Sequence, residues 1–208
     1  RLELSGDVST LAGADDFDDD LKDLSKWRST DRSYGGGVFT EIRQRLEFTV
    51  KTAVAETEAL RPWTRNFASL GDDFDVIVDV HNAILPPVVP PTSFPLPNAS
   101  IGIAIYNSAD IRDNIYLELY RGSDGYYFLS AISQDGDETG SDATMSQSAP
   151  DGSLRLHYDS STKVITAYCD ADGATGGYSW TAIGSFGING SGGTTSNASW
   201  SLSSNPFL

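Results

Sequence analysis

Cysteine is almost missing from this 208-residue chain. Cys169 stands alone, which excludes an internal disulfide framework and a cysteine-based zinc site. Histidine is equally scarce, with His81 and His157 too few for a zinc site built on imidazole. Lysine is rare as well, four against ten arginines, and the 14 basic residues face 29 acidic ones. A formal net charge of −15 repels nucleic-acid phosphate and anionic lipid, so neither is an expected partner. No apolar run approaches the roughly 18 residues of a membrane-spanning helix, and no direct membrane insertion is expected. The one methionine, Met145, is internal, which reads as a chain processed or trimmed at its start. Together with the avoided thiol and the dominance of Asp, Ser, Thr and Gly, this points to an exported bacterial-type protein at the cell surface or outside it.

What is present is strand pattern. Val38–Ile42 and Leu46–Val50 flank a polar turn and read as a hairpin. In Phe74–Val80, Val76, Val78 and Val80 share one face while Asp75, Ile77 and Asp79 share the other. Ile101, Ile103 and Ile105 alternate with Gly102, Ala104 and Tyr106, and Ile115, Leu117 and Leu119 with Tyr116, Glu118 and Tyr120. Tyr126–Ile132, the alternating Leu154–Tyr158, Val164–Cys169 and Tyr178–Ile183 complete the series. Period-2 alternation with turn residues between the runs, and no long amphipathic helix, predicts an all-β antiparallel sandwich. Two packed sheets of about five or six strands each suit the length.

The expected organisation is an N-terminal arm or edge strand over 1–13 and a single sandwich domain over 14–208. One stretch interrupts it. Residues 86–97, PPVVPPTSFPLP, hold six of the nine prolines, and proline cannot donate to a ladder. An extended, polyproline-like excursion is expected there, as a binding loop or simply a long connection.

The segments ADDFDDDLKDLSKW (14–27) and GGGVFTEIRQRLEFTV (35–50) resemble the opening of concanavalin A-like lectin/glucanase domains. SLRLHYDSSTKVITAYCDADG (153–173) followed by YSW (178–180) is similar to a hairpin of the same superfamily. The resemblance covers about a third of the chain and marks a fold, not a substrate. It implies a curved two-sheet jelly roll, secreted and often glycan-binding. Such domains usually close with a final strand beside the first. Here only WSLSSNPFL follows the glycine-rich stretch, so an edge is left to be filled. A cut chain, the spare segment Leu2–Leu11, or a strand from a neighbouring molecule would each account for it.

If the strands alternate as read, one polar face would gather Asp75, Asp79 and His81 with Tyr116, Glu118 and Tyr120, and with Arg155, His157 and Tyr168. Aromatic rings pack on sugar C–H groups while carboxylates and arginine bind hydroxyls, so this mixture suits a glycan. An ordinary solvated sheet face would carry similar residues, because Tyr and Thr form strands well. Hydrolysis would need paired carboxylates flanking a glycosidic bond, and the E-x-D-x-x-E spacing of related catalytic sandwiches is absent. No G-x-S-x-G elbow occurs either, and no enzyme is expected.

Calcium, in a structural role, has two candidate sites, each of which a solvated acidic turn would equally explain. Asp135, Asp137, Thr139 and Asp142 place oxygen ligands like the first half of an EF-hand loop, although position 12 is Ser146 and no flanking helices are expected. Asp16 and Asp18 belong to an acidic cluster near the start. The triplets at Asn98, Asn189 and Asn197 match glycosylation acceptors, a pattern frequent by chance in Ser-rich chains. Trp27, Trp63, Trp180 and Trp200 are expected to pack in the core or at edges, with Trp63 in a loop. The functional expectation is a non-catalytic extracellular module that binds a polysaccharide or mediates adhesion. The alternative is a structural subunit that polymerises into a surface filament or layer, joining other copies of itself through the N-terminal arm.

Overall fold

A computed structural model describes residues 2–5, 19–24, 32–34, 37–43, 46–50, 58–60, 71–81, 99–107, 113–121, 125–134, 137–138, 143–173, 175–188 and 195–196. Among them no helix occurs, and the strands pair antiparallel, as the alternation predicts, except for one short parallel pair at Phe186–Gly187 with Thr195–Ser196. In chain order the strands are β1 (Leu2–Ser5), β2 (Arg32–Tyr34), β3 (Gly37–Glu41), β4 (Leu46–Val50), β5 (Glu58–Leu60), β6 (Phe74–Val80), β7 (Ala99–Tyr106) and β8 (Asn114–Arg121). They continue as β9 (Tyr126–Gln134), β10 (Asp137–Glu138), β11 (Ala143–Gln147), β12 (Gly152–Asp159), β13 (Val164–Asp170), β14 (Thr181–Gly187) and β15 (Thr195–Ser196).

Two sheets make the sandwich. One runs β1-β6-β12-β13-β14-β15, the other β10-β9-β8-β7, with β11 also pairing along β9. The hairpin read at 38–50 forms as β3–β4, with Phe39 opposite Phe48, and β2 pairs β5. Between the two sheets lies one core. Phe74, Val76, Val80, Leu154, Leu156, Ile165 and Phe186 come from one side, and Ile105, Ile115, Leu117, Leu119, Phe128 and Ile132 from the other. Burying each such side chain stabilises the fold by roughly 1.5–3 kcal/mol. The alternating residues therefore face outward, and the sandwich has two outer faces.

β1 pairs antiparallel with β6, Leu4 opposite Val76 and Ser5 opposite Asp75. Part of the spare N-terminal segment thus fills the β6 edge within its own chain. The strand read as Tyr178–Ile183 instead runs Thr181–Gly187. Residues 178–180 precede it in an irregular loop, because other contacts hold them. The proline-rich stretch 86–97 and Asn98, Asn189 and Asn197 lie outside the described residues, as do Trp27, Trp63 and Trp200.

Candidate functional site

The site is built on the outward face of the six-stranded sheet. β12 is its centre: Leu154, Leu156 and Tyr158 are buried, so Arg155, His157 and Asp159 stand on the opposite side. β6 supplies Asp75 opposite His157 and Asp79 opposite Ser153. β13 supplies Tyr168 opposite Arg155 and Thr166 opposite His157. Asp75 is the hub. Its Oδ1 accepts from Arg155 Nε at 2.6 Å and lies 3.0 Å from His157 Nδ1. The guanidinium lies over Tyr168, 5.2 Å from the ring centroid, and 5.7 Å from that of Trp180. Trp180 in turn stacks on Tyr178 at 4.7 Å. Three aromatic rings and one arginine so form a continuous platform.

The loop 171–180 carries two of those rings and is tied down by Asp170, which is only 3% exposed. Its Oδ2 accepts from Ser179 N and its Oδ1 from Asp172 N. The Tyr178 hydroxyl donates to Asp79 at 3.2 Å, and Asp79 also accepts from Ser153 Oγ. Gly173, Gly176 and Gly177 take positive φ in this loop, a backbone region that costs glycine little. The hydrogen bond and charge of Asp170 hold the Asp172 carboxyl above its ordinary pKa. Between Ala167 and Tyr168 the β13–β14 register shifts, a bulge that re-aims side chains beside the platform.

Next to the platform an open cleft of about 500 Å3 is lined by His157, Asp159, Thr162, Val164, Thr166, Tyr168 and Ser185. Asp159 closes the β12–β13 turn: its Oδ1 accepts from Ser161 N, Ser161 Oγ and Thr162 N. These bonds, the Ser161 hydroxyl first, lower its pKa to about 2. Asp73 is lowered likewise by the Ser160 hydroxyl and N–H. Cys169 lies on the other side of β13, buried, with its thiol pushed up to about 12 by desolvation and then by the charge of Asp170. It takes no part in the site.

Of the residues expected on one face, the structure brings together Asp75, Asp79, Arg155, His157 and Tyr168. It separates Tyr116, Glu118 and Tyr120, and this corrects the expectation. They stand on β8 in the second sheet, alternating with core residues Ile115, Leu117 and Leu119, and so face outward on the far side of the sandwich. Tyr120 stacks there on Tyr127 at 5.3 Å. His81 is exposed one residue past β6 and is not drawn into the cluster.

Sequence reasoning missed Tyr178, Trp180, Ser153, Asp159 and Asp170. Trp180, expected in core or edge packing, belongs to the outer platform. The available signal was YSW following Gly176-Gly177, two aromatics at i and i+2 after a glycine pair.

Asp135, Thr139, Asp142, Asp16 and Asp18 lie outside the described residues, while Asp137 pairs with Gln134 in the β9–β10 ladder. Among the described residues no three His, Cys, Asp or Glu side chains converge on a point that would hold a metal ion. No protein family, curated protein or solved structure matches the chain.

Proposed function

We propose that this chain is a non-catalytic extracellular module that binds a polysaccharide on the outer face of its six-stranded sheet. One observation carries the reading: the Tyr178–Trp180 stack and Tyr168 flank Arg155 beside an open cleft lined with hydroxyls. A sugar ring offers C–H groups on its face and hydroxyls on its edge. A platform of rings with donors and acceptors at its margin meets both. The resemblance to concanavalin A-like domains points the same way. Catalysis fits less well, because Asp75 is engaged by Arg155 and His157, and Asp79 by Ser153 and Tyr178. Neither carboxylate stands ready as acid or nucleophile across a scissile bond.

The test is an affinity-electrophoresis screen over soluble and insoluble polysaccharides, followed by calorimetry on any ligand found. Trp180→Ala and Tyr168→Ala are each expected to weaken binding about tenfold or more, near 1.4 kcal/mol, with the far-ultraviolet spectrum unchanged. Failure to bind any polysaccharide, or binding that both variants leave intact, would overturn the proposal.

A further inference from the structure

The charges on this face point to a class of glycan. Among the described residues, the carboxylates of Asp75, Asp79, Asp159 and Asp170 share it with the guanidinium of Arg155. That cation is already compensated, since Arg155 Nε holds Asp75 at 2.6 Å and the side chain is 22% exposed. What Arg155 still offers is donors. Its Nη groups carry no hydrogen bond among the described residues, and they are fixed in place between Tyr168 and Trp180. Two parallel N–H groups match two neighbouring oxygens, and on an uncharged sugar those are the hydroxyls of a vicinal diol.

The cleft beside it adds acceptors and hydroxyls. Thr162, Thr166, Tyr168 and Ser185 line it with His157 and Asp159. His157 shares Asp75 with Arg155, and Asp159 is held ionised far below neutral pH by its turn. Lys163, a nearby cation, is exposed in the turn and does not line the cleft. A uronate or sulfate entering here meets fixed negative charge, with no uncommitted cation among the described residues that line the cleft, within a chain of net charge −15.

Resting on the glycan-binding reading, we infer that this face selects uncharged polysaccharides, with a vicinal diol seated on the Nη pair of Arg155, and rejects uronate- and sulfate-bearing ones. Rejection is electrostatic, carried by Asp159 and the Asp75-compensated arginine, and not a matter of shape.

The test uses matched polymers: cellulose oligosaccharides against their C6-oxidised forms, and galactan against polygalacturonate and sulfated galactan. Calorimetry is run at low and at physiological salt with the full chain and with Asp159→Asn, which keeps the Oδ1 acceptor of the turn. The full chain is expected to bind a neutral polymer at least about tenfold more tightly than its charged partner, with the gap narrowing as salt rises. Asp159→Asn is expected to raise the charged-to-neutral affinity ratio several-fold. A charged polymer bound as well as its neutral partner would overturn the selectivity and leave the binding face standing. A ratio unmoved by both salt and Asp159→Asn would also overturn it, since shape would then be the cause. Binding to neither member of any pair would overturn the glycan reading itself.

Discussion

Gly184 sits where β14 packs closely against β9 of the other sheet. A Cβ added there would lie 2.5 Å from Ser130 Oγ on β9, closer than non-bonded atoms tolerate. Ser130 is fully buried, and its hydroxyl finds no hydrogen-bond partner among the described residues. Two small residues thus let β14 and β9 approach, at the cost of one unsatisfied polar atom. Gly184→Ala is expected to destabilise the fold by about 1–3 kcal/mol through overpacking. Ser130→Ala should be neutral or stabilising by about 1 kcal/mol, because it removes an unpaired hydroxyl. The double variant should fall short of the summed losses by at least about 0.5 kcal/mol, since the alanine at 130 makes room for the one at 184. Urea midpoints of the four proteins measure this, and strict additivity would show that the two positions do not touch. The same glycine explains a misjudged boundary. Glycine is depleted in strands, so the sequence pattern stops at Ile183 where the strand continues to Gly187.

At the level of elements, most strands were legible because one residue in two is apolar and half of each strand is buried. The hairpin 152–170 matches the alternation closely, and Phe74–Val80 does so except at Ile77, which is buried, and Val78, which is half-buried. The loop 171–180 was not legible, because what holds it is a buried carboxylate meeting backbone N–H groups of the loop, a tertiary contact with no periodicity. Asp170 makes that contact through the backbone N–H groups of Ser179 and Asp172, so it acts as a positioning residue. Asp170→Ala removes the acceptor for Ser179 and Asp172 and should release Tyr178 and Trp180. The expected outcome is stronger quenching of tryptophan fluorescence by acrylamide and a polysaccharide affinity about tenfold lower. Asp170→Asn, which keeps one acceptor oxygen, should recover part of both. A stability loss without any change in quenching or affinity would mean that Asp170 supports the core alone.

Across the whole molecule, the hardest thing to read was which strands share a sheet. Alternation tells which residues of a strand lie on one side, and it says nothing of its neighbours. Arg155 and Asp75 meet across 80 residues of chain, while the pairing of β8 with β7 and β9 puts Tyr116, Glu118 and Tyr120 on the far face. The same topology bears on the strand-donation alternative. Four residues of β1 cover the edge of β6, the strand that carries Asp75 and Asp79. Deleting residues 1–5 would leave a row of unpaired N–H and C=O groups along a seven-residue strand, the template on which another chain adds itself. Light scattering of the truncated chain should therefore show dimers or larger species at concentrations where the full chain is monomeric. A peptide of residues 1–6 added in excess should return it to monomer, because the peptide satisfies the same edge. A truncated chain that stays monomeric and melts where the full chain does would show that β1 contributes nothing to sealing β6. Polymers formed by the full chain, dispersed by the same peptide, would show instead that β1 passes between molecules, and the work of the protein would then be assembly.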